Sequence, residues 1–416
     1  MVSKRVHRGL RMSLAAAATA LMVAGCGAST AGSGDDATIQ IGTLIPLTGT
    51  GLNFSDYLAG AKAAVQSVNS AGGINGHKIN LVECDDQNNP NQATKCARDM
   101  INAHVVAVAG GVSLFGAQIA QILNSANIPW IGALPITAAE TSLPNAYPIE
   151  SGNLGNYGTI GTFAKRAGHT SVAGFVLQGP LGDAAAQALQ QGVAAAGLTY
   201  KGTVTVPIDA TDYAPYVQKL RSLGADAVGT ELAAAQFLLL ATASAQAGAP
   251  WQMYQPAVGI APNIFDALSK TPEELARITP MSAVPPADKA YQSSYPGIGQ
   301  YIAAMEAYEQ ESHDPNGQPA NYTSGSISSW QAVEAVNQIA KSVPAQTPLT
   351  PASFLAALRN SGPIDTGLGP AWNPPPPAGP AAYPQVTNGT EFAWELKNGG
   401  YGLADPNPID VLQLLK

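Results

Sequence analysis

Glu83, Asp85 and Asp86 stand within four residues of one another in NSAGGINGHKINLVECDDQNNP, residues 69–90. Two neighbouring carboxylates could serve as general acid and base. Side chains alternate across a strand, so Glu83 and Asp85 share a face only if the strand continues through Asp85. No His or Lys stands between Asn80 and Pro90 to complete a catalytic set. Asp86 to Asn89 are also the residue types that close turns and cap helices, so the group is read as loop and cap structure.

Other catalytic signatures fail on their own terms. GTGLNF (49–54) has Phe54 where a dinucleotide fingerprint needs its third glycine, and the segment reads as a loop that lets a ligand approach the backbone. GGVSLFG (110–116) misses the G-x-S-x-G elbow at Phe115. His77, His104, His169 and His313 are scattered, without a ligand-spaced His or Cys. The expectation is a non-enzyme, with no cofactor and no metal.

The chain has 416 residues, which favours two domains, and only 12% of them are charged. Its formal charge of −8 argues against a nucleic-acid partner, which needs a basic footprint. Lys4, Arg5, Arg8 and Arg11 precede the apolar run Met12 to Val23 and then LMVAGC, the layout of an export signal over 1–25. That run is shorter than the ~20 residues of a membrane span. LMVAGC resembles the bacterial lipobox, which makes Cys26 the lipid-bearing residue and 26–37 a flexible tether. Without the four leading cations, 16 Lys and Arg face 28 acids, a net charge of −12. Cys84 and Cys96 then remain as an even pair in an exported chain, and read as a disulfide.

The elements alternate. Strands are expected at 38–45, 78–83, 105–111 and 128–134, with helices at 55–70, 91–102 and 116–126 between them; either Ser55 or Asp56 can cap the first. The rhythm restarts with strands at 171–178, 201–208, 225–232 and 251–258, separated by helices at 182–196, 212–223 and 233–247. The last of these, being Ala-rich and apolar, reads as a buried core helix. Further helices fall at 299–312, 328–342 and 351–360, and EFAWELKNGGYGL (391–403) reads as a late hairpin. Such alternation argues for an α/β fold with parallel sheets in two lobes.

The opening from Ile41 to Ile101 is similar to that of periplasmic solute receptors of the leucine/isoleucine/valine-binding type. PLTG (46–49), Gly60-Ala61, Asn69, AGGINGHKI (71–79) and DDQNNPNQA (85–93) carry the resemblance. It implies the type I fold: two α/β lobes, each a mostly parallel sheet flanked by helices, joined by three hinge crossovers. The lobes expected are 38–152 with 281–360, and 153–280 with 361–416. It also implies a small-molecule ligand held between the lobes by hinge closure, an ABC permease as partner, and a monomer anchored to the membrane through Cys26.

The resemblance places Ser113, Leu114, Pro135 and Thr137 at the ligand in the first lobe, with Thr137 either a ligand contact or a plain helix cap. Asn53 and Phe54 stand where a family tyrosine lines the pocket. The second lobe departs from the pattern: Leu181 replaces a tyrosine, another is missing near Ala233, and Ala257 stands where amino-acid receptors carry the acid for the ligand ammonium. An unpaired buried ammonium costs several kcal/mol. Glu231 is either its substitute or a loop carboxylate in solvent, so amides, ureas, small carboxylates and aromatic acids stand beside amino acids as ligand classes. Two rival readings are a sensory lipoprotein of the same fold and a secreted α/β enzyme.

Overall fold

The computed structural model describes residues 38–49, 53–260, 276–374, 381–397 and 400–414. Cys26, the export signal and the tether lie outside the described residues.

The first sheet has five parallel strands in the order β2-β1-β3-β4-β5. These are β1 (Ile39–Ile45), β2 (Ile79–Asp85), β3 (Ala107–Ala109), β4 (Trp130–Ile131) and β5 (Ala146–Tyr147). β1 lies inside the sheet and Ile41, Leu44 and Ile45 are buried on both faces, as interior parallel strands require. β3 and β4 are shorter than their apolar runs suggested, because Gly110, Gly111 and Gly132 all take positive φ and turn the chain out of the sheet. β5 was not anticipated; two residues leave no periodicity to read.

Helix α1 (Ser55–Ser70), α2 (Pro90–Asn102), α3 (Gly116–Ser125) and the short α4 (Ala138–Ser142) flank this sheet. α1 starts without a side-chain cap, contrary to the expectation for Ser55 or Asp56. Asp56 instead accepts from the Thr323 hydroxyl, which draws it into the interior. Asn89 caps α2, accepting from the N–H groups of Asn91 and Gln92 at 2.9 and 3.2 Å.

The chain then crosses through α5 (Asn153–Gly158) and α6 (Ile160–Arg166) into the second sheet. Its strands are β6 (Ser171–Leu177), β7 (Thr199–Val206), β8 (Ala227–Glu231), β9 (Gln252–Pro256) and β10 (Ile278–Ser282), parallel in the order β7-β6-β8-β9-β10. Between them run α7 (Pro180–Ala195), α8 (Ala214–Leu223) and α9 (Ala234–Gln246). α9 is not the enclosed core helix its composition suggested. Phe237, Leu240 and Ala241 are buried, but Leu239 is 38% exposed, so the helix covers the sheet with one face.

A second crossover returns the chain to the first lobe as α10 (Pro296–Ser312) and α11 (Ser324–Ser342), both packed on α1. Glycines set the closeness of the α1–α11 crossing. A β-carbon on Gly60 would lie 2.0 Å from the Ser326 carbonyl oxygen, and one on Gly325 would lie 1.8 Å from the Tyr57 ring. α12 (Pro351–Asn360) follows, opened by a Thr350–Ser353 capping box. The segment after it stays with these helices, later than the expected boundary at 361: Gln338 Nε2 donates to Asp365 O, Gln331 Nε2 to Thr366 Oγ1, and Gly297 N to Gly367 O.

The third crossover ends in β11 (Thr390–Lys397), which joins β10 antiparallel and turns back as β12 (Gly400–Leu403). This is the expected late hairpin. No helix among the described residues is long and apolar enough to cross a membrane.

Candidate functional site

The acidic group after β2 resolves into three separate tasks. β2 does run through Asp85, but Glu83 pairs with Lys62 at 3.0 Å on the outer face. Asp85 accepts from Leu47 N at 2.8 Å, from Thr48 N at 3.3 Å, from the Thr48 hydroxyl, and from Gln87 N. Burial pushes its carboxyl up, but these donors outweigh it and hold the pKa below the usual range. Asp85 thus fastens the loop after β1. Asp86 is buried and accepts from the Ser113 hydroxyl and from Asn88 N, tying the loop after β2 to the loop after β3. Cys84, within β2 beside these acids, is joined by a disulfide to Cys96 in α2.

Ligands of open α/β sheets bind beyond the carboxyl ends of the strands, and here the two sheets bring those ends together. Val258, in the 3-10 turn Ala257–Gly259 after β9, packs against a first-lobe cluster that includes Phe54, Tyr57, Val112 and Leu134. Phe54 and Tyr57 meet edge to face with ring centroids 5.2 Å apart. Gly152, at the start of α5 with φ +55, lies against Pro135: a β-carbon there would be 2.3 Å from the Pro135 oxygen. The first crossover is therefore seated directly on the loop after β4.

Of the residues chosen from the sequence, Phe54, Pro135 and Ala257 sit at this junction. Asn53 uses its amide to hold its own loop, donating to Leu47 O at 2.8 Å and accepting from Ser55 N. Ser113 is buried and committed to Asp86, and its oxygen accepts from Phe115 N. Leu114 is 42% exposed on the same loop. Leu181 lies in the first turn of α7, and Ala233 precedes α9 without a side-chain cap.

Thr137 caps α4 in a reciprocal box with Glu140: its hydroxyl and its N–H both reach the Glu140 carboxylate. Thr137 is followed three residues on by Glu140, the spacing of a capping box, which is the signal that sequence reading passed over. Burial pushes Glu140 up to about 7, against the opposing pull of these donors.

Glu231 is the last residue of β8 and is buried, not a loop carboxylate in solvent. Burial raises it to about 7, only partly offset by the Leu177 N–H. Its Oε2 has no hydrogen-bond partner among the described residues, and its charge acts on the phenol of Tyr157 in α5. Glu150, on the first crossover, is raised to about 7 by burial and receives the Ser328 hydroxyl. Among the described residues no group of three acids, cysteines or histidines is arranged to hold a metal ion. Two surface grooves, one beside Lys62, Lys78 and Glu311, the other beside Lys201, Arg221 and Asp226, lie at the amino ends of the strands, away from this junction.

Two α/β lobes linked by three crossovers, with their strand ends facing, define a solute-binding architecture. The periplasmic binding protein family profile matches residues 38–381, and the chain belongs to that family, which acts outside the cytoplasm. A Leu/Ile/Val-binding protein homolog 3 of Brucella melitensis is 29% identical over 206 residues, 46% of this chain and 54% of that protein. A leucine-, isoleucine-, valine-, threonine- and alanine-binding protein of Pseudomonas aeruginosa is 34% identical over 106 residues, 25% of this chain and 27% of that one. The chain spans about half the length, or less, of these curated relatives.

Among solved structures, a fatty acid ABC transporter substrate-binding protein from Thermomonospora curvata superposes with a TM-score of 0.73 at 16% identity, covering 90% of this chain and 94% of that one. A solute-binding protein of an ABC transporter from R. palustris, in complex with 4-hydroxybenzoate, gives 0.70 at 18% identity, covering 90% and 97%. At such identities the likeness is one of fold.

Proposed function

We propose that this chain is a non-catalytic receptor that binds one small molecule between its lobes and hands it to an ABC permease. It acts as a monomer, held at the membrane by lipid on Cys26. The observation that supports the reading is the packing of Val258, after a second-lobe strand, against the Phe54 cluster at the strand ends of the first lobe.

The side chains meeting at this junction are mostly apolar, the usual makeup of a small-molecule site. Phe54, Leu134 and Val258 suit an apolar body. Thr137 on one side and Glu231 on the other suit a polar head, with Ser113, Leu114, Pro135, Leu181, Ala233 and Ala257 completing the surround. One relative is named for binding leucine, isoleucine, valine, threonine and alanine, one structural neighbour is named for a fatty acid transporter and another is in complex with 4-hydroxybenzoate, and all of these compounds carry a carboxylate.

A thermal-shift screen of amino acids, amides, ureas, fatty acids and aromatic acids tests this. A ligand at about 100 times its Kd adds about 2.7 kcal/mol, a shift of a few degrees at this size. If leucine, isoleucine or valine stabilises the protein, Glu231→Gln is expected to lose that binding at least about tenfold, because Glu231 then replaces the acid missing at Ala257. If only acids without an ammonium stabilise it, Glu231→Gln leaves binding intact. A protein that responds to no member of the panel, and that converts one of them chemically, defeats the receptor reading.

A further inference from the structure

Thr137 has one hydroxyl hydrogen, and in this structure that hydrogen goes to Glu140 Oε2. The same oxygen accepts from Thr137 N at 3.1 Å, and Thr137 Oγ1 accepts from Ala139 N at 3.4 Å. An ionised carboxylate only accepts, so beside it Thr137 has no hydrogen left for a ligand. A protonated Glu140 reverses the bond. Its O–H donates to Thr137 Oγ1, and the Thr137 hydrogen is then free to donate elsewhere.

We propose that Glu140 is a positioning residue whose neutral form frees the Thr137 hydroxyl to donate to the anionic head of a carboxylate ligand, so that a ligand bound where Glu140 is ionised brings one proton with it. This rests on Thr137 being a ligand contact. It adds the ligand's charge class and a proton linkage that the receptor reading does not contain.

The surroundings favour the neutral form. Glu140 is 1% exposed, and its second oxygen has no hydrogen-bond partner among the described residues. That oxygen is pressed over Gly116 at the start of α3, where a β-carbon would lie 1.7 Å from it. α3 carries no ionisable side chain. β5 contributes only Tyr147, whose phenol is engaged by Arg359. The segment whose Gln385 N–H meets Thr141 O brings only Tyr383, and the loop before α3 carries no ionisable side chain, its Ser113 bonding to Asp86, an acid, in the loop after β2. Among the described residues no neighbouring cation offsets a charge on Glu140, and a ligand carboxylate arriving at Thr137 would repel one. Burial has already moved this carboxyl up to about 7.

The test is calorimetric titration of the purified full chain with octanoate, 4-hydroxybenzoate and L-leucine as probes, from pH 5.5 to 8.5 and in two buffers of different ionisation enthalpy. Affinity is expected to fall about tenfold per pH unit above about pH 7, with one proton taken up per probe bound. Glu140→Gln, whose amide donates to Thr137 Oγ1 at every pH, is expected to hold the low-pH affinity throughout. A flat wild-type profile, or a slope that survives Glu140→Gln, overturns the proposal.

So does binding confined to uncharged or cationic compounds, which leaves the receptor reading standing. If Glu140→Gln does not fold, carbon-13 NMR of the wild-type Glu140 carboxyl decides. Titration near 4.5 in the free protein, or a value that does not rise when probe binds, overturns the proposal even when no other variant is at hand.

Discussion

The Ser113 hydroxyl donates to the Asp86 carboxylate, and through that one bond the loop after β2 is fixed to the loop after β3. Asp86 also turns its own loop by accepting from Asn88 N at 2.9 Å. Asp86→Ala leaves a buried hydroxyl and an N–H without their acceptor. The expected cost is about 1–3 kcal/mol, read as a lower urea midpoint with an unchanged slope. Ser113→Ala is expected to cost less at low pH, where Asp86, raised by burial, takes up a proton more readily. Equal losses across pH 4 to 7 would show that the bond does not tie the loops.

Gly152 is held at φ +55 beneath the Pro135 oxygen. Gly152→Ala adds both an unfavourable backbone conformation and a collision with main chain that cannot swing aside. The expected destabilisation is roughly 1–3 kcal/mol, with weaker ligand binding as the first crossover is pushed off its seat. Differential scanning calorimetry with and without ligand separates the two effects, and an alanine variant with wild-type Tm and affinity would contradict both.

The Cys84–Cys96 bridge closes a separation of 12 residues. In the chain-entropy account a loop of that size is worth about 3 kcal/mol. Reductant, or Cys96→Ala with Cys84→Ala, is expected to lower Tm by a few degrees. The loop 46–49 is expected to loosen first, since Asp85 beside the bridge fastens it. Hydrogen exchange of the Leu47 and Thr48 amides checks this.

Stability is expected to peak in mild acid. Glu140, Glu150 and Glu231 lie at about 7 in the folded chain against 4.5 unfolded. The folded state therefore binds their protons more tightly, and the stability this gives is full below about pH 4.5 and is lost as pH rises through 7. Asp226 acts in the opposite direction. Burial pushes it up, but the N–H and hydroxyl donors of Thr170 and Ser171 prevail and hold it at about 2 against 3.8 unfolded, so its contribution vanishes as pH falls through 2. Tm measured from pH 3 to 9 should have its maximum between those windows, and a maximum at pH 8 would exclude the assignment.

The order of the long strands and helices between residues 38 and 260 was legible because each repeats its apolar pattern several times, whereas the short α4, β5, α5 and α6 were not expected. β1, α2 and α7 are found close to where their periodicity puts them. What was not legible was short or was decided by tertiary contact. β5 has too few residues to show a period, and Phe54 rather than Ser55 or Asp56 precedes α1 because Asp56 is drawn to Thr323. The site followed the same division. Phe54 and Pro135 were marked by the family resemblance, but nothing marked Glu140, which lies on a helix too short to be expected. Its burial depends on Gly116, more than twenty residues away, leaving room for it. Glu231 could be placed at a strand end from sequence, but its enclosure by α5 could not.

Neither lobe is built from one continuous stretch of chain. β10 waits for β11 across more than a hundred residues, and α1 waits for α11 across more than two hundred and fifty. Read from the amino end, every strand of the first sheet therefore comes before the helices that bury α1. The last strand pair arrives only with the final thirty residues. Such non-local closure folds slowly, because neither lobe can bury its core until a segment from much later in the chain has joined it.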